Sequence, residues 1–182
     1  MACVLTGMSR AFVKEDDSGE APIIPPRAAL PPGVSNYVTP RGLELLRNEL
    51  TELEAARSQA EAKRDNEAER TRQLTILNGR MAALNSRIAT AKVIDTKDQP
   101  ADQVRFGATV TLKTIKGKKP GQERIFTIVG VDEASVEEGR IAFVAPIAKI
   151  VTGAKVGQTI TLKLGKDEEI AEVTNISYTD NQ

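Results

Sequence analysis

Residues 39–91 read TPRGLELLRNELTELEAARSQAEAKRDNEAERTRQLTILNGRMAALNSRIATA, and this stretch decides the fold. Thr39 suits an N-cap, and Pro40 then falls at the first helical position, where a missing N–H costs nothing. Leu43, Leu46, Leu50 and Leu53 follow at 3-4-3 spacing, the seam of a coiled coil. Leu74, Leu77, Met81, Leu84, Ile88 and Ala91 continue at 3-4-3-4-3. Between the runs, 58–72 is polar and carries no apolar stripe. The pattern fits either one long dimerising helix or an antiparallel hairpin within the chain. Leu50 with Leu84, Leu46 with Ile88, and Leu43 with Ala91 all centre near residue 67. Those mirrored seams satisfy each other in one chain, which favours the hairpin and a monomer. Arms of about 23 residues reach roughly 35 Å at 1.5 Å per residue. The second helix is expected to end at Val93-Ile94-Asp95.

Upstream, residues 1–36 are predicted to be a disordered tail. Five of the nine prolines fall there, at Pro22, Pro25, Pro26, Pro31 and Pro32, and such a segment prefers extended geometry without a core. Ala11-Phe12-Val13 is its isolated apolar triplet and a candidate docking segment. The hairpin occupies 37–95 and a linker with Pro100 occupies 96–103. Residues 104–182 read as a small antiparallel-sheet domain. Alternation in 108–112 and 159–164 marks strands. Gly117 to Gly121 (GKKPG) turns a first hairpin, and 140–144 is a third strand. Pro146 opens a short helix that Gly153 follows, and Gly165-Lys166-Asp167 turns the last hairpin. The fold class is therefore α+β.

Charge and composition narrow the chemistry. The 182 residues carry 25 Lys+Arg and 25 Asp+Glu, a formal net charge of zero, so strong non-specific attraction to nucleic acid or anionic membrane is not expected. With no His, Ser-His and Cys-His catalysis and imidazole zinc sites are excluded. One cysteine, Cys3, cannot form an intrachain disulfide. Aromatics at 3 % argue against a stacking platform for single strands. No apolar run reaches the roughly 18 residues of a membrane span, and the start lacks a signal-peptide pattern. A cytoplasmic protein is expected, with Met1 or Met8 as its start.

An ordered set of short elements then points to a family. Thr39…Gly42…Leu46…Glu49-Leu50…Leu53 is followed by Ala91-Lys92-Val93-Ile94-Asp95 and Phe106-Gly107-Ala108-Thr109-Val110. Ile128-Val129-Gly130, Asp132-Glu133-Ala134 and Gly139-Arg140-Ile141 come next. Ala145-Pro146-Ile147-Ala148-Lys149, Gly153 and Val156-Gly157 complete it. Over about 37 to 178 the chain resembles the GreA/GreB family of bacterial transcription elongation factors. The resemblance implies an N-terminal antiparallel coiled coil and a C-terminal FKBP-like domain. It implies bacterial RNA polymerase as partner, with the C-terminal domain on the rim of the secondary channel and the coiled coil inside it. Nucleic acid would be met only indirectly, in the elongation complex. In the cleaving members, acidic tip residues help hold a magnesium ion in the polymerase's own active site, so the factor itself is not an enzyme.

The tip departs from that pattern. The family sequence there is Asp-x-x-Glu-Asn-Ala, whereas this chain has Asp65-Asn66-Glu67-Ala68-Glu69, interleaved with Arg64, Arg70 and Arg72. Arms about one heptad shorter than the family's withdraw the tip by roughly 10 Å at 1.5 Å per residue. Asp65, Glu67 and Glu69 are therefore expected to form a solvated turn. No catalytic residue, metal site or cofactor is assigned, and any Mg2+ would be shared with the polymerase. The shortened hairpin also resembles the regulator of nucleoside diphosphate kinase. By carry-over, Asp132, Glu133, Ala134, Gly139, Pro146, Ile147, Ala148 and Lys149 are candidates for the polymerase-facing surface. Lys149 replaces the family's usual Arg and lacks its bidentate fork. Lys116, Lys118, Lys119 and Arg124 form a basic patch, and Glu133, Glu137 and Glu138 an acidic one. The competing reading is a Gre-like binding module with a partner other than polymerase. Prolyl isomerase activity, suggested by the fold alone, finds only Phe106, Phe126, Phe143 and Tyr178 as aromatics in the domain.

Overall fold

A computed structural model describes residues 22–64, 66–97, 99–164 and 167–178, with no account of the Leu164 and Asp167 side chains. The triplet 11–13, Cys3, Asp65 and the Gly165-Lys166 turn lie outside the described residues. Two helices, α1 (Pro40–Ala62) and α2 (Glu67–Ala89), form the hairpin. The Thr39 hydroxyl accepts from the Gly42 N–H, and Pro40 opens α1. Asn66 caps α2 by accepting from the Glu69 N–H, and Glu67 and Glu69 in its first turn suit the positive helix end. Val38, Leu46, Leu53, Met81 and Leu84 are buried along the seam, flanked by Leu43, Leu50, Leu77, Ile88 and Ala91. Within the stretch that looked stripeless, Ala60 is buried, so small side chains continue the seam toward the tip.

The hairpin's feet are joined by a feature absent from the sequence reading. β1 (Asn36–Val38) pairs in parallel with β2 (Ala91–Val93), Tyr37 opposite Lys92. The second helix consequently stops at Ala89, not at Asp95. Two three-residue strands carry too little alternation to be seen in a sequence. Only the return of α2 beside the start of α1 supplies each with a partner.

The sheet domain comprises β3 (Thr109–Lys116), β4 (Glu123–Val129), β5 (Arg140–Ala142), β6 (Thr159–Leu164) and β7 (Asp167–Ser177) in the order β5-β4-β3-β7-β6. All neighbours are antiparallel except β4 and β5, because a 3-10 turn at Val131–Glu133 and the loop after it carry the chain back before β5 begins. The helix α3 (Pro146–Val151) places the fully buried Ala148 and Val151 in a core with Val110, Leu112, Ile128, Leu162 and Val173. Burial at this scale is the domain's main stabilising contribution, roughly 25 cal/mol per Å² of apolar surface. Val104, at the end of the linker, enters the same core and exchanges backbone hydrogen bonds with Gly153 and Ala154.

Hairpin and sheet domain meet at an aromatic and ionic joint. Phe143 packs edge-on against Tyr37 and Phe106, which are tilted to each other, with centroids 5.6–6.0 Å apart. A β-carbon on Gly42 would stand 2.8 Å from Glu133 Oε2, so the bare glycine lets α1 approach the 3-10 turn.

Candidate functional site: the docking face and the hairpin tip

The eight candidate docking residues separate into groups in space. Asp132 and Glu133 sit on the 3-10 turn and point into the joint. Glu133 is 5 % exposed. The Thr39 hydroxyl donates to its Oε2 at 2.5 Å, and Arg140 Nη1 donates to its Oε1 at 3.1 Å. Arg41 stands 3.7 Å away. Burial pushes the Glu133 carboxyl above its usual range, against the opposing pull of the Thr39 hydroxyl and the Arg41 charge. Asp132 pairs with Arg27 at 2.9 Å and Arg87 at 3.2 Å. Both acids thus bind the hairpin to the sheet domain, which corrects their expected place on an outward surface. The acidic patch dissolves accordingly: Glu138 pairs with Arg140 and Arg41, and Glu137 is exposed.

Ile147 packs against the core and Ala148 is fully buried within it. Ala148 shapes α3 from inside, while Ile147 is half-buried and keeps part of its side chain at the surface. Ala134, Pro146 and Lys149 are exposed, and Gly139 is half-buried in the turn before β5. Lys149 borders a cleft of about 340 Å³ whose lining includes Tyr37, Phe106, Phe143 and Thr152. Two of the aromatics considered for a proline pocket do not reach it: Phe126 belongs to the core, and the Tyr178 hydroxyl donates to the Gln103 carbonyl at 2.6 Å. In the basic patch, Arg124 is tied to Glu169 at 2.5 Å, while Lys116, Lys118 and Lys119 are exposed.

At the tip, Glu67 is exposed and stands 3.8 Å from Arg70. Glu69 accepts from the Gln73 side chain at 3.1 Å. Among the described residues no group of three or more acids or cysteines is placed to hold a metal ion.

Residues 99–178 match the family described as "Transcription elongation factor, GreA/GreB, C-term". The transcription elongation factor GreA of Brucella canis is 35 % identical over 154 residues, covering 78 % of this chain and 96 % of that protein. The chain belongs to the GreA/GreB family of transcription elongation factors. Among solved structures, GreA factor homolog 1 of Thermus thermophilus is 18 % identical, covers 79 % of this chain and 99 % of its own, and overlays with a TM-score of 0.37. The GreA/GreB factor from Nitrosomonas europaea is 16 % identical, covers 80 % and 99 %, and gives 0.39. The helical hairpin and the curled sheet expected of a GreA/GreB protein are both present.

Sequence reasoning missed Arg27, Tyr37 and Arg87, which build the joint from outside the family elements. One signal was available. Gly79 interrupts an otherwise regular helix at a cost near 1 kcal/mol, and a β-carbon there would stand 2.2 Å from Ile24 Cδ1. A glycine in that place asks what passes over it.

Proposed function

We propose that this chain binds bacterial RNA polymerase and regulates elongation from the secondary channel, without itself completing a metal site for transcript cleavage. The observation that carries the reading is its identity to a transcription elongation factor across nearly the whole of that protein. The hairpin is the part suited to enter a channel, and the exposed Pro146 and Lys149 the part suited to a rim. The tip supports loss of cleavage. Glu67 lies 3.8 Å from the Arg70 guanidinium, whose positive charge disfavours a second cation beside it, and Asn66 is engaged as a helix cap. In this reading the chain is not an enzyme, and any cutting is done by the polymerase.

Co-elution with bacterial core RNA polymerase on size exclusion tests the reading. Lys149→Glu is the better variant, because Ile147 is half-buried against the core and an aspartate there would also disturb packing. Wild type should co-elute, and Lys149→Glu should weaken binding by about tenfold or more, 1.4 kcal/mol. Cleavage of backtracked RNA should not rise above that of polymerase alone. Failure to bind at micromolar concentration would redirect the search to a different partner for the hairpin.

A further inference from the structure

Residues 22–35 run without regular secondary structure along the base of the hairpin. Ile24 lies over Gly79 of α2. Arg27 then bridges two units: Nη1 donates to Glu49 of α1 at 2.8 Å, and Nη2 to Asp132 of the sheet domain at 2.9 Å. Arg87 of α2 donates to the Ala28 carbonyl and pairs with the far oxygen of Asp132 at 3.2 Å. Lys92 donates to the Ser35 hydroxyl at 3.0 Å, and Asn36 to the Arg87 carbonyl at 2.8 Å. Four separate elements converge on this track.

We propose that the groove between the helical hairpin and the sheet domain's 3-10 turn is a recognition site for an extended proline-rich segment bearing one arginine. In this chain it is filled by residues 23–30, which thereby clasp the hairpin to the sheet domain. Charge complementarity selects the arginine: Glu49 and Asp132 both present carboxylates to the groove, and a planar guanidinium reaches the two from separate nitrogens in a fixed fork. Proline keeps the segment extended, so little entropy is lost on seating. Arg27 makes the segment's ion pairs, and beyond it the segment has the Ile24 contact and the Ala28 carbonyl. Ile23 is 88 % exposed, Pro25 and Pro26 are exposed, and cavities of about 390 and 490 Å³ lie alongside Arg27. A segment seated this way is retained chiefly by its tether, which supplies millimolar effective concentration. Another arginine-bearing proline-rich segment presented at comparable concentration would compete with it. The proposal stands whether or not the partner is polymerase.

A fluorescein-labelled peptide of residues 22–35 tests it by anisotropy against the full chain. Arg27→Glu should vacate the groove and bind the peptide at least about tenfold more tightly than wild type. Adding Asp132→Asn should remove that gain, and a peptide with glutamate in place of its arginine should not bind. Circular dichroism checks folding, and Arg27→Gln serves if the reversal unfolds the chain. Spin labels at Glu52 and Lys163, in a Cys3→Ser background, should give a broader distance distribution in Arg27→Glu that narrows on adding peptide. Equal binding by wild type and Arg27→Glu, a gain insensitive to Asp132→Asn, or an unchanged distribution would each overturn the proposal.

Discussion

Glu133 shows how one side chain can look like a docking residue and serve a joint. Its neighbours in sequence are acidic, so it reads as part of a surface patch. In space it meets the Thr39 hydroxyl and Arg140 beneath α1. Its folded pKa lies above the ordinary value of 4.5, so the folded form takes up a proton before the unfolded chain does. The stability this contributes is complete below the unfolded carboxyl range and is lost as pH rises through the folded pKa. Glu133→Gln should remove that dependence. Denaturant unfolding at pH 7 and pH 5 should show wild type gaining on the variant at the lower pH. A loss relative to the variant would mean that the arginine pairs outweigh burial.

Among the elements, the hairpin was the most legible and its surroundings the least. Heptad leucines announce a seam because every third and fourth residue must face the partner helix. Leu84 is fully buried there. Leu84→Ala should cost about 2–5 kcal/mol, read as a lower thermal midpoint by helical circular dichroism. An unchanged midpoint would mean that the seam is not cooperative with the rest. β3, β4, β6 and β7 were visible from alternation and turn residues, and α3 from Pro146. β1, β2 and residues 22–35 were not. None has a periodic pattern, and each is held by groups far away in sequence: β1 and β2 by each other, the Ala28 carbonyl by the Arg87 side chain, and the Asn36 amide by the Arg87 carbonyl.

For the molecule as a whole, the expectation is a monomer near 19.6 kDa, checked by light scattering. Among the described residues the apolar stripe of each helix packs against the other, which is the basis for expecting a monomer. A stable dimer would require some other face to associate, and the exposed Ile125 and Val136 beside β4 and β5 are where disruption should then be tried.

Read alone, the residues already indicated that two heptad helices face each other, that a strand-rich domain with one short helix follows, and that 65–69 carries no Asp-x-x-Glu. These are local properties: spacing, turn chemistry and the presence or absence of particular residues. Only the tertiary structure decided which charged residues are surface and which are joint. It moved Asp132 and Glu133 inward, placed Ala148 in the core with Ile147 half-buried against it, left Pro146 and Lys149 outside, and drew Arg27 out of a proline-rich segment into the joint. The physical reason is that an ion pair is selected by distance in space, and its partners here stand 22 and 105 residues apart along the chain.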